Sequence, residues 1–248
     1  MHLPSQITLI IAGVAAIAVG LAFIPHRKAY DPLKRIVDLV LSIPALLVVS
    51  PIMLAAAIAI KLDSNGPVFY IADRVGTEGR RIKVFKLRTM VAGADRSGKI
   101  TRGNDLRITR VGKLLRATKL DELPQLFNIV LGTMTIAGPR PESTDVVTRY
   151  YTQEDGELFE IPPGLTCPGT LHYYIHDEDN EPPAGVSVEE HYARVSLRTK
   201  LAADLHYVRH RCFAYDIKLI VFTVVVIFSK LLGRRPPLIL RTRGNISL

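Results

Sequence analysis

The run IVDLVLSIPALLVVSPIMLAAAIAIKL, from Ile36 to Leu62, constrains this chain more than any other stretch. It is long enough to cross a bilayer, whose hydrocarbon core takes about 20 apolar residues of helix, yet it contains Asp38, Pro44 and Pro51. A proline inside a helix removes one backbone donor and clashes with the preceding turn, so Ser50-Pro51, near the midpoint, is a candidate sharp bend. Two readings follow: a kinked spanning helix, or a re-entrant helix that dips into one leaflet and leaves on the side it entered. Flanking charge favours the second. Lys34 and Arg35 lie at the start and Lys61, Arg74 and a long basic region at the end, so both ends carry the cationic signature of the cytoplasmic side. On these residues alone the two readings stand about even, because kinked spanning helices are tolerated.

A second apolar run, Ile7 to Ile24, is uncharged throughout and is followed by Arg27 and Lys28. A cleaved signal peptide normally has basic residues ahead of its apolar run, and here only His2 precedes it. A retained transmembrane helix with its C-terminal end in the cytoplasm is therefore the expectation. The chain of 248 residues has 48% hydrophobic and 22% charged residues and a net charge of +9. A basic surplus on so apolar a background points to an anionic partner at a membrane surface as readily as to nucleic acid. Aromatic stacking motifs for nucleic acid are missing, which leaves that class weak. Cys167 and Cys212 lack the paired spacing of a zinc site and are too few for a disulfide framework.

Beyond Leu62 the composition becomes that of a soluble domain. DSNGPVFYIADRVGTEGRRIKVFKLRTM reads as strand, Gly-rich turn, strand. Ile82, Val84, Lys86 and Arg88 share one parity and leave one face. A basic helix is expected from about Thr109 to Leu120, and another from about Leu120 to Leu131, closed by Gly132. Tyr150 to Pro183 reads as an irregular functional loop region, and Ser187 to Val208 as an amphipathic helix. Tyr215 to Arg235 is apolar but interrupted by Asp216, Lys218 and Lys230, which suits a helix lying in the membrane interface or packed on the domain.

The segment ATKLDELPQLFNIVLGTMTIAGPRPE, Ala117 to Glu142, carries the candidate chemistry. Thr118-x-x-Asp121 fits a capping box, the bland reading of an acidic pair at a helix start. Against it stand Lys86, Arg88, Arg116, Lys119 and Arg140, each able to hold a phosphate oxygen. Adjacent helical residues project about 100° apart, so Asp121 and Glu122 suit two different roles. One could attack an electrophile while the other holds a cation. If the electrophile is a diphosphate, Mg²⁺ is the expected ion, since it binds through one or two carboxylates plus phosphates. Arg140, set between Pro139 and Pro141, loses backbone freedom and keeps its orientation.

These residues resemble the monotopic phosphoglycosyl transferases, or bacterial sugar transferases. The likeness runs from about Leu33 to Leu232 and includes KRIVD, the Ser50-Pro51 break, RVGTEGRRIKVFKLRTM, the whole segment RITRVGKLLRATKLDELPQLFNIVLGTMTIAGPRPE, and ADLHYV and YDIKLI near the end. It implies an α+β membrane protein: a re-entrant membrane helix plus a small, mostly helical cytoplasmic catalytic domain with a β-hairpin. The implied domains are an N-terminal transmembrane helix (1–28), the re-entrant helix with its Ser50-Pro51 hinge (29–62), a cytoplasmic catalytic domain with interfacial helices (63–235), and a basic tail (236–248). The implied activity moves a phosphosugar from a UDP-sugar to a polyprenol phosphate at the bacterial inner membrane, releasing UMP.

In this likeness Asp121 is the nucleophile and Glu122 supports Mg²⁺, both counting as metal ligands. Lys86, Arg88, Arg116, Pro139 and Arg140 bind substrate, and Asp204 and Asp216 match acidic positions that support the site. Splitting one displacement into two lets a water-soluble donor and a lipid acceptor use the site in turn. This chain departs from the family at Ala72, where Gln is usual, and in PPGLTCPGT, where Pro162 replaces Arg and Cys167 replaces Gly. The partners implied are UDP-sugar, polyprenol phosphate and membrane lipid, without nucleic acid, and a homodimer stays open. The rival reading is a non-catalytic, membrane-anchored basic module that binds anionic lipid or glycan machinery.

Overall fold

The protein is described by a computed structural model covering residues 27–94, 105–176, 183 and 185–234. The expected Ile7–Ile24 helix and the 236–248 tail lie outside the described residues. The first element, α1, is a 37-residue helix, Arg27–Asp63, about 55 Å long at 1.5 Å per residue. Its apolar part, Tyr30–Asp63, is long and apolar enough to cross a membrane. One stripe of α1 is buried against the rest of the molecule, with Tyr30, Lys34, Asp38, Ser42, Met53, Ala56 and Ile60 at steps of three, four or multiples thereof. The opposite face exposes Ile36, Val40, Leu47, Val48, Leu54 and Ile58. Apolar exposure on that scale marks an interaction surface.

Polar clasps fasten α1 along its length. Asp38 accepts from the Thr135 hydroxyl and the Ile136 N–H. Arg35 donates to the Ile129 and Val130 carbonyls, which have no partner inside their own helix end. At the far end Asp63 accepts from the Val111 N–H at 2.9 Å. The helix continues through Ser50-Pro51. There the Ser50 hydroxyl donates to the Leu47 carbonyl at 2.9 Å, the i−4 acceptor that proline's missing N–H leaves open.

The hairpin appears where its sequence placed it, as β1 (Phe69–Val75) antiparallel to β2 (Arg81–Leu87). Ala72 and Val84 from its inner face join Leu126, Ile129 and Met134 in one core, onto which Ala45, Leu46 and Val49 of α1 pack. The basic helix α2 is Arg110–Thr118, capped by the Thr109 side chain, and α3 is Gln125–Leu131, ended by Gly132 at φ 84, a conformation glycine adopts without strain.

The stretch expected to be irregular is built of short elements instead. After β3 (Thr135–Ala137) and α4 (Thr144–Tyr150) come a 3₁₀ turn (Glu154–Phe159), β4 (Gly164–Thr166) and α5 (Pro168–His176). β3 and β4 pair in parallel. Three residues are too few to set up a recognisable alternation, and the pairing is non-local. The expected Ser187–Val208 helix divides into α6 (Val188–Tyr192), a π turn (Ala193–Leu197) and α7 (Arg198–His210). The last helix, α8, is Phe213–Leu231. α5, α7 and α8 contribute Leu171, Leu201, Tyr207, Val208, Leu219 and Val226 to the largest core.

Candidate active site

The acidic pair does not open a long helix. α2 stops at Lys119, whose backbone is left-handed at φ 57, a conformation that strains any residue with a Cβ. Leu120–Glu122 then form a separate 3₁₀ turn, and Pro124 precedes α3. The Thr118 hydroxyl donates backwards to Leu114 and Leu115, so the capping box does not form. Asp121 and Glu122 sit on a joint between two helices, held by what surrounds them.

Glu122 is the neutralised member. Lys86 Nζ lies 3.0 Å and Arg140 Nη2 2.9 Å from its Oε1. Burial alone would raise the Glu122 carboxyl, but Arg140 and Lys86 hold it well below the usual carboxylate range. Glu122 in turn lifts the Arg140 guanidinium well above its ordinary value, while burial lowers the Lys86 ammonium against the pull of Glu122.

Asp121 differs. It is buried, and its Oδ1 has no hydrogen-bond partner among the described residues. Burial and the neighbouring Glu122 charge raise its carboxyl, against the opposing pull of Lys86, Lys119 and Arg116. Two adjacent carboxylates driven in opposite directions are a mark of divided acid–base or nucleophilic roles. A desolvated carboxylate near cations, with one oxygen unengaged, is suited to attack an electrophile.

Arg140 reaches this pair through the β3–β4 pairing. The Gly138 N–H bonds to the Thr166 carbonyl at 3.0 Å and the Gly164 N–H to the Pro139 carbonyl at 2.8 Å. A Cβ on Gly164 would lie 2.1 Å from the Gly138 nitrogen, so this contact admits only glycine. From α7, Asp204 accepts from the Gly169 N–H at 2.8 Å and faces the Arg140 N–H at 3.5 Å. Burial pushes the Asp204 carboxyl up to about 6.

The expected site residues therefore divide. Lys86, Asp121, Glu122 and Arg140 come together, with Pro139 and Asp204 behind Arg140. Arg116 acts on Asp121 electrostatically, with its Nε 2.8 Å from the Thr89 hydroxyl. Arg88 instead donates to the Asn65 and Ser64 carbonyls, at 2.7 and 2.8 Å, just past the end of α1. Asp216 accepts from Tyr30 and Tyr207 at 2.6 Å and from Lys34 at 2.8 Å, where it clasps α1, α7 and α8. Sequence reasoning missed Thr89, Tyr174 and the buried Glu142–Lys200–Tyr192 cluster behind Arg140. Thr89 follows Arg88 in the quoted strand, but nothing local marks it as the partner of Arg116. The departures are packed rather than exposed: Ala72 is in the core, and the Cys167 thiol is buried against Thr170.

The donor set also fits a hard cation. No group of three or more His, Cys, Asp or Glu gathers among the described residues, which suits Mg²⁺ held partly by substrate phosphates. Asp121 Oδ1 is unengaged and Lys86 and Arg140 both take Oε1 of Glu122 rather than Oε2.

The sequence pattern of the bacterial sugar transferases matches residues 29–230. This chain belongs to that family. It is 36% identical over 204 residues to the exopolysaccharide production protein PSS of Rhizobium leguminosarum bv. phaseoli, covering 78% of this chain and 94% of that protein. It is 36% identical over 195 residues to the UDP-glucose:undecaprenyl-phosphate glucose-1-phosphate transferase of Escherichia coli K12, covering 77% and 39% of the two chains. A UDP-N-acetylgalactosamine-undecaprenyl-phosphate N-acetylgalactosaminephosphotransferase of Aeromonas hydrophila is 30% identical over 204 residues, covering 81% and 44%. The matched region thus spans about two fifths of the length of these two sugar-phosphate transferases.

Proposed function

We propose that this chain moves a phosphosugar from a UDP-sugar to a polyprenol phosphate, releasing UMP. The observation that carries the reading is the divided pair: Asp121 buried with one unengaged oxygen, Glu122 held ionised by Lys86 and Arg140. The names of the Escherichia and Aeromonas relatives, both acting on a UDP-sugar and undecaprenyl phosphate, support the substrate classes. They carry different sugars, so a panel of UDP-sugars decides which one this chain uses.

In the first step an Asp121 oxygen bonds to the β-phosphorus as the bond to the α-phosphate oxygen breaks, and that electron pair leaves with UMP. In the second, an oxygen of the polyprenol phosphate attacks the aspartyl phosphosugar, forming the new diphosphate and restoring the Asp121 carboxylate. Lys86, Arg116 and Arg140 neutralise charge on the transferring phosphoryl group, with stabilisation strongest where water is excluded. The stiff Pro139-Arg140-Pro141 loop and Asp204 keep Arg140 aimed, as near-attack geometry requires. Asp121 and Glu122 would hold Mg²⁺, which supplies charge neutralisation on the diphosphate.

The membrane reading rests on where α1 is fastened. Tyr30 and Lys34 bind Asp216 at one end and Asp63 binds α2 at the other, so both ends belong to one polar body. That arrangement supports a re-entrant course for 29–62 about Ser50-Pro51, with its exposed apolar face in lipid and the 63–235 domain at the cytoplasmic surface of the inner membrane. Ser50 spares an unsatisfied carbonyl in a medium where one costs several kcal/mol.

The test is a UMP-release assay over a panel of UDP-sugars with undecaprenyl phosphate and Mg²⁺, joined to mass spectrometry of enzyme quenched with donor alone. A phosphosugar adduct on Asp121 is expected. An adduct on another residue would reassign the nucleophile, and no UMP from any donor would leave the non-catalytic module as the reading.

A further inference from the structure

The substrate scheme leaves one question open: where does the phosphate of the lipid acceptor bind before it attacks? The donor's phosphoryl group has its cations in Lys86, Arg116 and Arg140. A second group of cations lies beside them, gathered on one aromatic ring. Lys119 Nζ is 3.8 Å from the centroid of the Tyr174 ring, and Lys230 Nζ is 5.5 Å from it. Tyr174 also acts electrostatically on Arg140. Residues from the α2–α3 joint, α5 and the end of α8 therefore meet at a point next to the reacting pair.

Each lysine has a feature that a purely structural contact does not require. Lys119 is two residues before Asp121, pulls on both Asp121 and Glu122, and sits in the left-handed backbone conformation at φ 57. That strain turns the chain out of α2 just where the Lys119 side chain reaches Tyr174 on α5. Lys230 closes α8, whose exposed residues Ile217, Val221, Val224, Phe228 and Leu231 recur at steps of four and three. Such a stripe is one continuous apolar helix face. A lysine at the end of an apolar face is placed to carry its ammonium to the polar boundary of a membrane. One ring attracts one ammonium by its quadrupole, whereas two ammoniums at the same ring repel each other. An anion placed between them removes that repulsion.

Building on the phosphosugar-transfer reading, we propose that Lys119, Tyr174 and Lys230 form the subsite for the phosphomonoester of the lipid acceptor. Lys230 receives the headgroup where the apolar α8 face ends. Lys119 then holds it beside Asp121, so the attacking oxygen arrives from the membrane side while UMP departs towards water. Tyr174 keeps the two ammoniums apart and in place when no phosphate is bound.

The experiment is steady-state kinetics of the full chain in mixed micelles, varying undecaprenyl phosphate and UDP-sugar separately. Lys230→Ala is expected to raise the acceptor KM about tenfold, in line with loss of one charge-assisted phosphate contact, with the donor KM unmoved. Lys230→Arg restores most of the acceptor KM, and Lys119→Met raises it in the same direction. An unchanged acceptor KM in both Lys230→Ala and Lys119→Met, or an equal rise in donor KM, overturns the subsite. A KM effect present only when anionic phospholipid is included also overturns it, since the lysines would then be reading bulk lipid. These failures differ from failure of the transfer reading itself, in which the parent protein releases no UMP from any UDP-sugar.

Discussion

Asp121 and Asp216 are both buried carboxylates among cations and phenols, and they could hardly be used more differently. Asp216 has both oxygens engaged, Oδ2 by Tyr30 and Lys34 and Oδ1 by Tyr207. Asp121 keeps Oδ1 without a partner among the described residues. A fully satisfied buried charge is a fastening. A partly satisfied one costs stability wherever it stands, and its persistence next to Lys86, Arg140 and Arg116 points to chemistry. Both positions look alike in sequence, an acidic residue near a helix start, and only the count of bonded oxygens separates them.

The sharpest way to break the contrast is Asp121→Asn. Transfer should fall at least about a thousandfold, as loss of a nucleophile demands, while the melting temperature holds or rises because a desolvated charge is removed. Turnover equal to the parent's would end the nucleophile assignment. Asp216→Ala is expected to do the reverse. Removing one partner of a buried pair costs about 3–5 kcal/mol, a drop of roughly 10 °C in thermal unfolding, with kcat per folded molecule largely kept. A large loss of kcat without loss of stability would move Asp216 into the site.

Asp204 lies between these extremes, and pH resolves it. Its folded value near 6 stands above the ordinary carboxylate value of 3.8, so the folded state favours the protonated form. Its contribution to stability is full below about 4 and is lost as pH rises through 6, up to about 3 kcal/mol in all. Asp204→Asn should flatten the change in melting temperature between pH 5 and 7 relative to the parent. An unaltered slope would mean that Asp204 does not titrate there. The smallest effect belongs to Ser50→Ala, which removes the donor to the Leu47 carbonyl. About 1 kcal/mol is expected, seen as a fall of a few degrees in thermal unfolding; no fall would mean that water already reaches that carbonyl.

Much of this was legible in the residues. The hairpin, α2, the Gly132 stop and the apolar extent of α1 follow from period, turn chemistry and hydropathy. Lys86 and Arg140 were named from their types and stiffness, and they meet at Glu122. Arg88 shares the strand parity of Lys86, but parity fixes a face and not a partner, and the carbonyls past α1 take its guanidinium. The break at Lys119 was hidden because nothing in TKLDEL forbids a helix. The left-handed residue is imposed by packing of two helices that sequence pattern fuses into a continuous one. β3 and β4 escaped for a related reason. Their evidence is mutual, a glycine contact and a parallel pairing across intervening chain, which no local window contains.

The Asp216 clasp bears on how the protein is made. Tyr30 and its partner are separated by 186 positions, nearly the whole length of the polypeptide. On the ribosome the membrane-seeking helix emerges first and must wait, with Lys34 uncompensated, until the final helix has been synthesised. Assembly of the membrane-bound enzyme is therefore a closing event at the end of translation, and truncation shortly before residue 216 should leave a nascent chain dependent on chaperones.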